Sequence, residues 1–202
     1  MITNTPSARG ASALAMAVAM GTAILTAAPA VANDKLVELA KDPANWVMTG
    51  RDYNEQNYSE MTDINKETVK RLRPAWSFST GVLHGHEGTP LVVGDKMFVH
   101  TPFPNTTFAL DLNQPGHILW QNKPKQNPTA RTVACCDVVN RGLAYWPGDD
   151  QVKPLIFRTQ LDGHIVAMDA ETGETRWMME NSDTKVGSSR TIAPYVITVL
   201  VL

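Results

Sequence analysis

From Pro74 onward the hydrophobic and polar positions alternate in short runs. A period of two places successive side chains on opposite faces and predicts half-buried strands. Ala75–Ser79 alternates around Trp76 and Phe78 and predicts a first strand. The run Leu91–Val99 contains Gly94-Asp95, a two-residue turn signal, and predicts two strands closed as a hairpin. Thr107–Asp111 predicts the next strand. Pro154–Thr159 and His164–Asp169, joined through Leu161-Asp162-Gly163, predict a second hairpin. Thr191–Leu202 is rich in β-branched residues and predicts a further strand, one that stops in an apolar run. Before Pro74 the pattern differs. Leu36, Val37 and Leu39 predict a short helix over Asp34–Ala40, and Asn65 is placed to cap a second one carrying Val69 and Leu72.

A repeat underlies the strands. Phe108-Ala109-Leu110-Asp111-Leu112 leads through Gly116 to Trp120, and Val166-Ala167-Met168-Asp169-Ala170 leads through Gly173 to Trp177. The Asp can accept bonds from turn N–H groups, the Gly permits a positive φ, and the Trp offers a flat surface to a neighbouring sheet. Trp76 closes a similar apolar segment without the first half. The tryptophans recur at close to the roughly 40–50 residues of a four-stranded propeller blade. The predicted fold is therefore all-β, a β-propeller, with room for about three blades where closed propellers take roughly four to eight. These roles are architectural and carry no chemistry by themselves.

Composition narrows the class. With 43% hydrophobic and 19% charged residues the chain reads as globular. A net charge of −2 gives no electrostatic reason to expect nucleic acid. No phosphate-binding glycine loop, no G-x-S-x-G elbow and no C-x-x-C pair is present. Residues 1–32 read as a secretory signal peptide: Arg9 supplies positive charge, Ala11–Ala28 is apolar, and Ala30-Val31-Ala32 supplies small residues before Asn33. The predicted division is 1–32 signal peptide, 33–73 N-terminal segment with short helices, and 74–202 first blades of an incomplete propeller. Export would permit a disulfide between the two cysteines, the adjacent Cys135 and Cys136.

Two segments are specific: Gly85-His86-Glu87-Gly88-Thr89-Pro90-Leu91-Val92 and Cys135-Cys136-Asp137-Val138-Val139-Asn140-Arg141-Gly142. Together with Gly50-Arg51-Asp52-Tyr53-Asn54 and Thr101-Pro102-Phe103-Pro104 they resemble the methanol/ethanol dehydrogenases that depend on pyrroloquinoline quinone (PQQ), and the N-terminal text is closer to the lanthanide-type branch. The resemblance implies a periplasmic, eight-bladed propeller with PQQ in its funnel beside a calcium or lanthanide ion. It implies oxidation of a small primary alcohol to the aldehyde, electrons passing to a c-type cytochrome, and a homodimer in the full-length family. Cys135 and Cys136 match the family's vicinal disulfide, which packs on one face of PQQ. Adjacent Cα atoms lie about 3.8 Å apart, below the usual disulfide range of about 4.4–6.8 Å, so such a ring closes only under strain. Glu87 and Arg141 match residues that hydrogen-bond PQQ, and Thr191 matches a further hydroxyl contact. A guanidinium fork suits the carboxylate and quinone oxygens of that cofactor.

The same resemblance places the family's metal ligands and catalytic carboxylate beyond this sequence, so no residue here is assigned a catalytic or metal role. By itself the chain is expected neither to bind PQQ tightly nor to oxidise alcohols. Two other readings compete: a non-catalytic periplasmic propeller scaffold and an inactive truncated product. The cysteine pair, Glu87 and Arg141 argue against the scaffold, which needs none of them. His84 and His86 stand two apart, a spacing that could serve a metal but lacks a third ligand; Asp149-Asp150 reads as a solvated turn; Met178 and Met179 read as packing beside Trp177.

Overall fold

The computed structural model describes residues 32–134, 137–198 and 200–201. The signal peptide expected over 1–32, Ala32 apart, lies outside these residues, as do Cys135 and Cys136. The first helix forms where the apolar spacing placed it. In α1 (Asp34–Leu39) the Asn33 side chain accepts from the Leu36 N–H at 3.1 Å, and Leu36 is buried. Asn65 also caps, accepting from Glu67 and Thr68 N–H at 3.0 Å each. Only a 3₁₀ turn, Val69–Arg71, follows it. Val69 and Leu72 are exposed, so no apolar face is buried to propagate a helix past its costly nucleus.

Two four-stranded antiparallel sheets make up the body. The first runs β1 (Leu91–Val93), β2 (Lys96–His100), β3 (Thr107–Asp111) and β4 (Ile118–Asn122). After a short α2 (Ala130–Val133), the second runs β5 (Leu143–Trp146), β6 (Leu155–Thr159), β7 (His164–Asp169) and β8 (Thr175–Glu180). Each is a meander with strands in sequence order, the layout of a propeller blade.

The repeat read from the sequence is physically the same in both sheets. Register slips between Ala109 and Leu110 in one and between Ala167 and Met168 in the other, a bulge at the same place. Asp111 accepts from Asn113 N–H at 2.8 Å; Asp169 accepts from Glu171 and Thr172 N–H at 2.8 and 3.0 Å. Gly116 and Gly173 close the turns at φ +85° and +72°. Burial alone would raise the Asp169 carboxyl, but bonds from Arg176 and those two N–H groups outweigh it and hold the group below the usual carboxylate range.

Trp120 shows what the repeat is for. Its ring lies against the turn of the next sheet, where a Cβ on Gly173 would come within 2.5 Å of it. Its indole N–H donates to Ala170 O at 3.0 Å, and Asn122 Nδ2 donates to Gly173 O at 2.8 Å. Phe98 completes the junction, 5.9 Å from the Trp120 ring and 6.4 Å from that of Tyr145. Arg158 on β6 reaches back across it, donating to Thr107 Oγ1 and Asn122 Oδ1 at 2.9 Å each. Burial pushes this guanidinium down to about 9, with Asp162 opposing the shift.

Several expectations are corrected. Residues 75–79 belong to no strand; alternation marks a strand only when another edge is there to pair with it, and here Phe78 merely meets the Phe108 ring edge-on at 5.2 Å. The described residues therefore hold two four-stranded blades rather than about three, because residues 33–90 go into the helix, loops and extended chain. Thr191–Leu202 is not one strand. β9 (Val196–Ile197) turns back at Thr198, φ +50°, to pair with β10 (Leu200–Val201). Met178 and Met179 are 57% and 51% exposed on the outermost strand and pack no core. The solvated turn at Asp149 is present, its side chain accepting from Gln151 and Val152 N–H at 2.8 Å.

Candidate functional site

The inner edges of the two blades meet at a single parallel bridge, Thr89 to Gly142. Three loops gather around it. One leads into β1 and carries Glu87, one leads into β5 and carries Arg141, and one leads into β9 and carries Thr191. Gly142 is required by close neighbours in the Thr191 loop and the N-terminal segment: a Cβ there would fall 2.8 Å from both the Ala193 Cβ and the Thr49 Oγ1. Arg141 is the centre of the cluster. Its N–H donates to Thr191 O at 3.0 Å and its Nη1 to Thr191 Oγ1 at 2.9 Å. Its Nε lies 3.9 Å from Glu87 Oε2, beyond hydrogen-bond length, and both side chains are 51% exposed.

A half-exposed pair at that distance contributes little to stability, roughly 0–1 kcal/mol. What it offers is unspent capacity. The contacts to Thr191 and Glu87 use fewer than the N–H donors a guanidinium carries, and Glu87 presents acceptor oxygens beside them. Donors, an acceptor and a hydroxyl side by side suit a planar ligand bearing carboxylates and carbonyl oxygens. His84 extends the cluster, its Nδ1 lying 3.6 Å from Asp137 Oδ1. Asp137, at φ +63°, directly follows the cysteine pair in the chain.

Beneath the exposed groups lies a buried polar frame. His100, at the inner end of β2, approaches Asn140 O through Nε2 at 3.2 Å. Asn140 Nδ2 donates to Thr159 O at 2.7 Å, and the Thr159 hydroxyl donates to Ile192 O at 2.6 Å. The frame therefore ties β2, the Arg141 loop, β6 and the Thr191 loop together. Burial drives the His100 imidazole down to about 4; its hydrogen bonds to Asn140 resist the shift, and electrostatic interaction with Arg158 and His86 adds to it. His100 is thus neutral near pH 7.

Of the residues expected at the site, Glu87, Arg141 and Thr191 converge, and Cys135 and Cys136 lie outside the described residues. His84 and His86 do not share a strand face: His86 Nδ1 meets His84 O at 2.8 Å and its Nε2 meets Thr80 Oγ1 at 2.9 Å. Among the described residues no group of three or more His, Cys, Asp or Glu could hold a metal ion. The frame residues His100 and Thr159 carried no sequence signal beyond a polar side chain at a buried strand position, and Asn140 stood in a distinctive segment without being singled out.

A family model for the glucose/ethanol/alcohol dehydrogenase β-propeller domain of PQQ enzymes matches residues 46–183. The chain belongs to that family. Methanol dehydrogenase [cytochrome c] subunit 1 of Paracoccus denitrificans is 90% identical over 98% of this chain and 32% of its own length. The lanthanide-dependent methanol dehydrogenase of Methylacidiphilum fumariolicum is 53% identical over 83% of this chain and 27% of its own. Among solved structures, a europium-containing methanol dehydrogenase superposes with a TM-score of 0.79 at 52% identity, covering 84% of this chain and 28% of that one. The chain thus spans about a third of the curated relatives' length. The two sheets described above are consecutive blades of the family's propeller.

Proposed function

We propose that this chain supplies one wall of a PQQ site in an exported, periplasmic methanol dehydrogenase. Its fully assembled form would oxidise a small primary alcohol and pass electrons to a c-type cytochrome. The observation that carries the reading is the convergence of Glu87, Arg141 and Thr191 at the inner edge of two blades. It is supported by 90% identity to an enzyme named for methanol and cytochrome c.

Each residue has a task in this wall. The Arg141 guanidinium binds carboxylate or quinone oxygens and is kept in place by the Thr191 hydroxyl. Glu87 accepts a hydrogen bond from the ligand and balances Arg141. By the family resemblance, Cys135 and Cys136 would pair as a vicinal disulfide and cover one face of the ring. The chemistry such a cofactor supplies when bound is two-electron oxidation, in which a primary alcohol gives up two electrons and two protons and becomes an aldehyde. A calcium or lanthanide ion beside the quinone belongs to this reading, and no residue of this chain is assigned to hold it. Export through the leader at 1–32 fits both the compartment and the disulfide.

Absorbance titration of the purified chain with PQQ tests the wall. Weak, saturable binding is expected, weakened by about tenfold in Arg141→Lys, which cannot keep the bidentate fork. Binding that is indifferent to both Arg141→Lys and Glu87→Gln refutes the assignment.

A further inference from the structure

We propose that His100 is a positioning residue for this wall: by bracing Gly88 and the Asn140 carbonyl at once, it sets the separation of the Glu87 carboxylate from the Arg141 guanidinium. The inference rests on the reading that those two groups face the cofactor.

The side chains of β2 alternate, and Phe98 and His100 point to the buried side. An apolar residue would ordinarily occupy the inner end. An imidazole buried there loses its hydration and is tolerated only if its polar atoms find partners. Asn140 O can only accept, so Nε2 carries the hydrogen and Nδ1 the lone pair. Burial keeps the ring uncharged, and the nearby Arg158 guanidinium acts in the same direction.

On the other side the ring lies directly under Gly88, where any Cβ would overlap its Cε1 atom. Gly88 adjoins Glu87 in the chain, and Asn140 adjoins Arg141. One ring therefore touches the immediate neighbours of both exposed groups. Asn140 does not yield, since its side chain is fixed to Thr159 O and accepts from Gly142 N–H at 3.3 Å. The backbone bond between the loops, Thr89 N–H to Arg141 O, is long at 3.4 Å. A ring that merely filled space would be replaceable by any apolar group of its size. A ring that positions needs its donor.

Two variants separate these roles. His100→Leu fills the space without a donor; His100→Gln keeps a flat group with an N–H for Asn140 O. Two readouts are followed in wild type and both variants: PQQ affinity by titration, and the Arg141 Nε–H resonance in the chain without PQQ, assigned by its disappearance in Arg141→Lys. The expected result is a displaced Arg141 resonance and about tenfold weaker PQQ binding in His100→Leu, both restored in His100→Gln. An unmoved resonance in His100→Leu, or a Gln variant as impaired as the Leu variant, overturns the proposal. If wild type itself fails to bind PQQ, the reading of the wall fails, while the resonance still decides whether His100 positions Arg141. Should His100→Leu not fold, Gly88→Ala applies the same displacement from the opposite side, and an unmoved Arg141 resonance in that folded variant overturns the proposal equally.

Discussion

Acid should destabilise the two blades through His100, because burial of its imidazole opposes protonation in the fold. The imidazole sits at about 4 in the fold against 6.5 in the unfolded chain. Between those pH values the unfolded state carries a proton at this position that the folded state refuses. Stability therefore rises with pH across the window and falls as pH is lowered through it, by about 1.4 kcal/mol per pH unit. The whole window is worth about 3 kcal/mol, a large share of the roughly 5–15 kcal/mol that holds an ordinary domain together. Above 6.5 neither state is protonated and below about 4 both are, so this contribution to the slope vanishes at either end. Asp169 acts elsewhere: its folded carboxyl lies below 3.8, so its contribution is complete above that value and is lost only in stronger acid. Urea unfolding followed by tryptophan fluorescence at pH 7, 6 and 5 provides the assay. Wild type should lose about 2 kcal/mol more than His100→Gln between pH 7 and 5. Equal losses in the two proteins would refute the claim that a buried, neutral His100 underlies the acid sensitivity.

Other consequences follow from the junction between the blades. Trp120→Ala removes the ring that seals the junction and its bond to Ala170 O, and should cost about 3–5 kcal/mol in denaturant unfolding. Trp177→Ala, the equivalent change on a side chain 40% exposed, should cost well under half as much. Gly173→Ala needs a Cβ 2.5 Å from the Trp120 ring at φ +72°, and should lower the unfolding midpoint by an amount worth about 1–3 kcal/mol while red-shifting Trp120 emission. A Gly116→Ala control meets only the φ penalty, because nothing lies within 4 Å of its added Cβ, and should cost less.

How far the sequence revealed this arrangement depended on whether an element carried its own partner. The Ala-x-Asp turn was legible twice because Asp, Gly and Trp each have a local or repeated task, and the bulges fall at the same alanine in both copies. Ala75–Ser79 had the alternation of a strand but nothing to pair with, and pattern alone cannot supply an edge. β5 failed in the opposite way. Leu143, Ala144 and Tyr145 are all buried, so Leu-Ala-Tyr-Trp shows no alternation to read. A strand covered on both faces loses the period that announces it.

The site divides along the same line. Glu87 and Arg141 stand in segments distinctive enough to be matched by family and Thr191 in a less distinctive one, yet their grouping depends on where three loops end, which no local pattern encodes. His100 illustrates why. Its strand, Lys-Met-Phe-Val-His, reads as an ordinary hairpin arm with a polar last residue. Its significance lies in two contacts that are remote from it in the chain, Gly88 above and Asn140 beside, and in a glycine whose usual explanation would be a turn. Gly88 needs no left-handed backbone and is small because a ring occupies the space a side chain would take. A glycine beside a candidate ligand residue, together with a histidine at a core-facing strand position, is therefore a pair to seek in a sequence. The first marks a close approach, and the second is a group able to fill it and still hold a carbonyl.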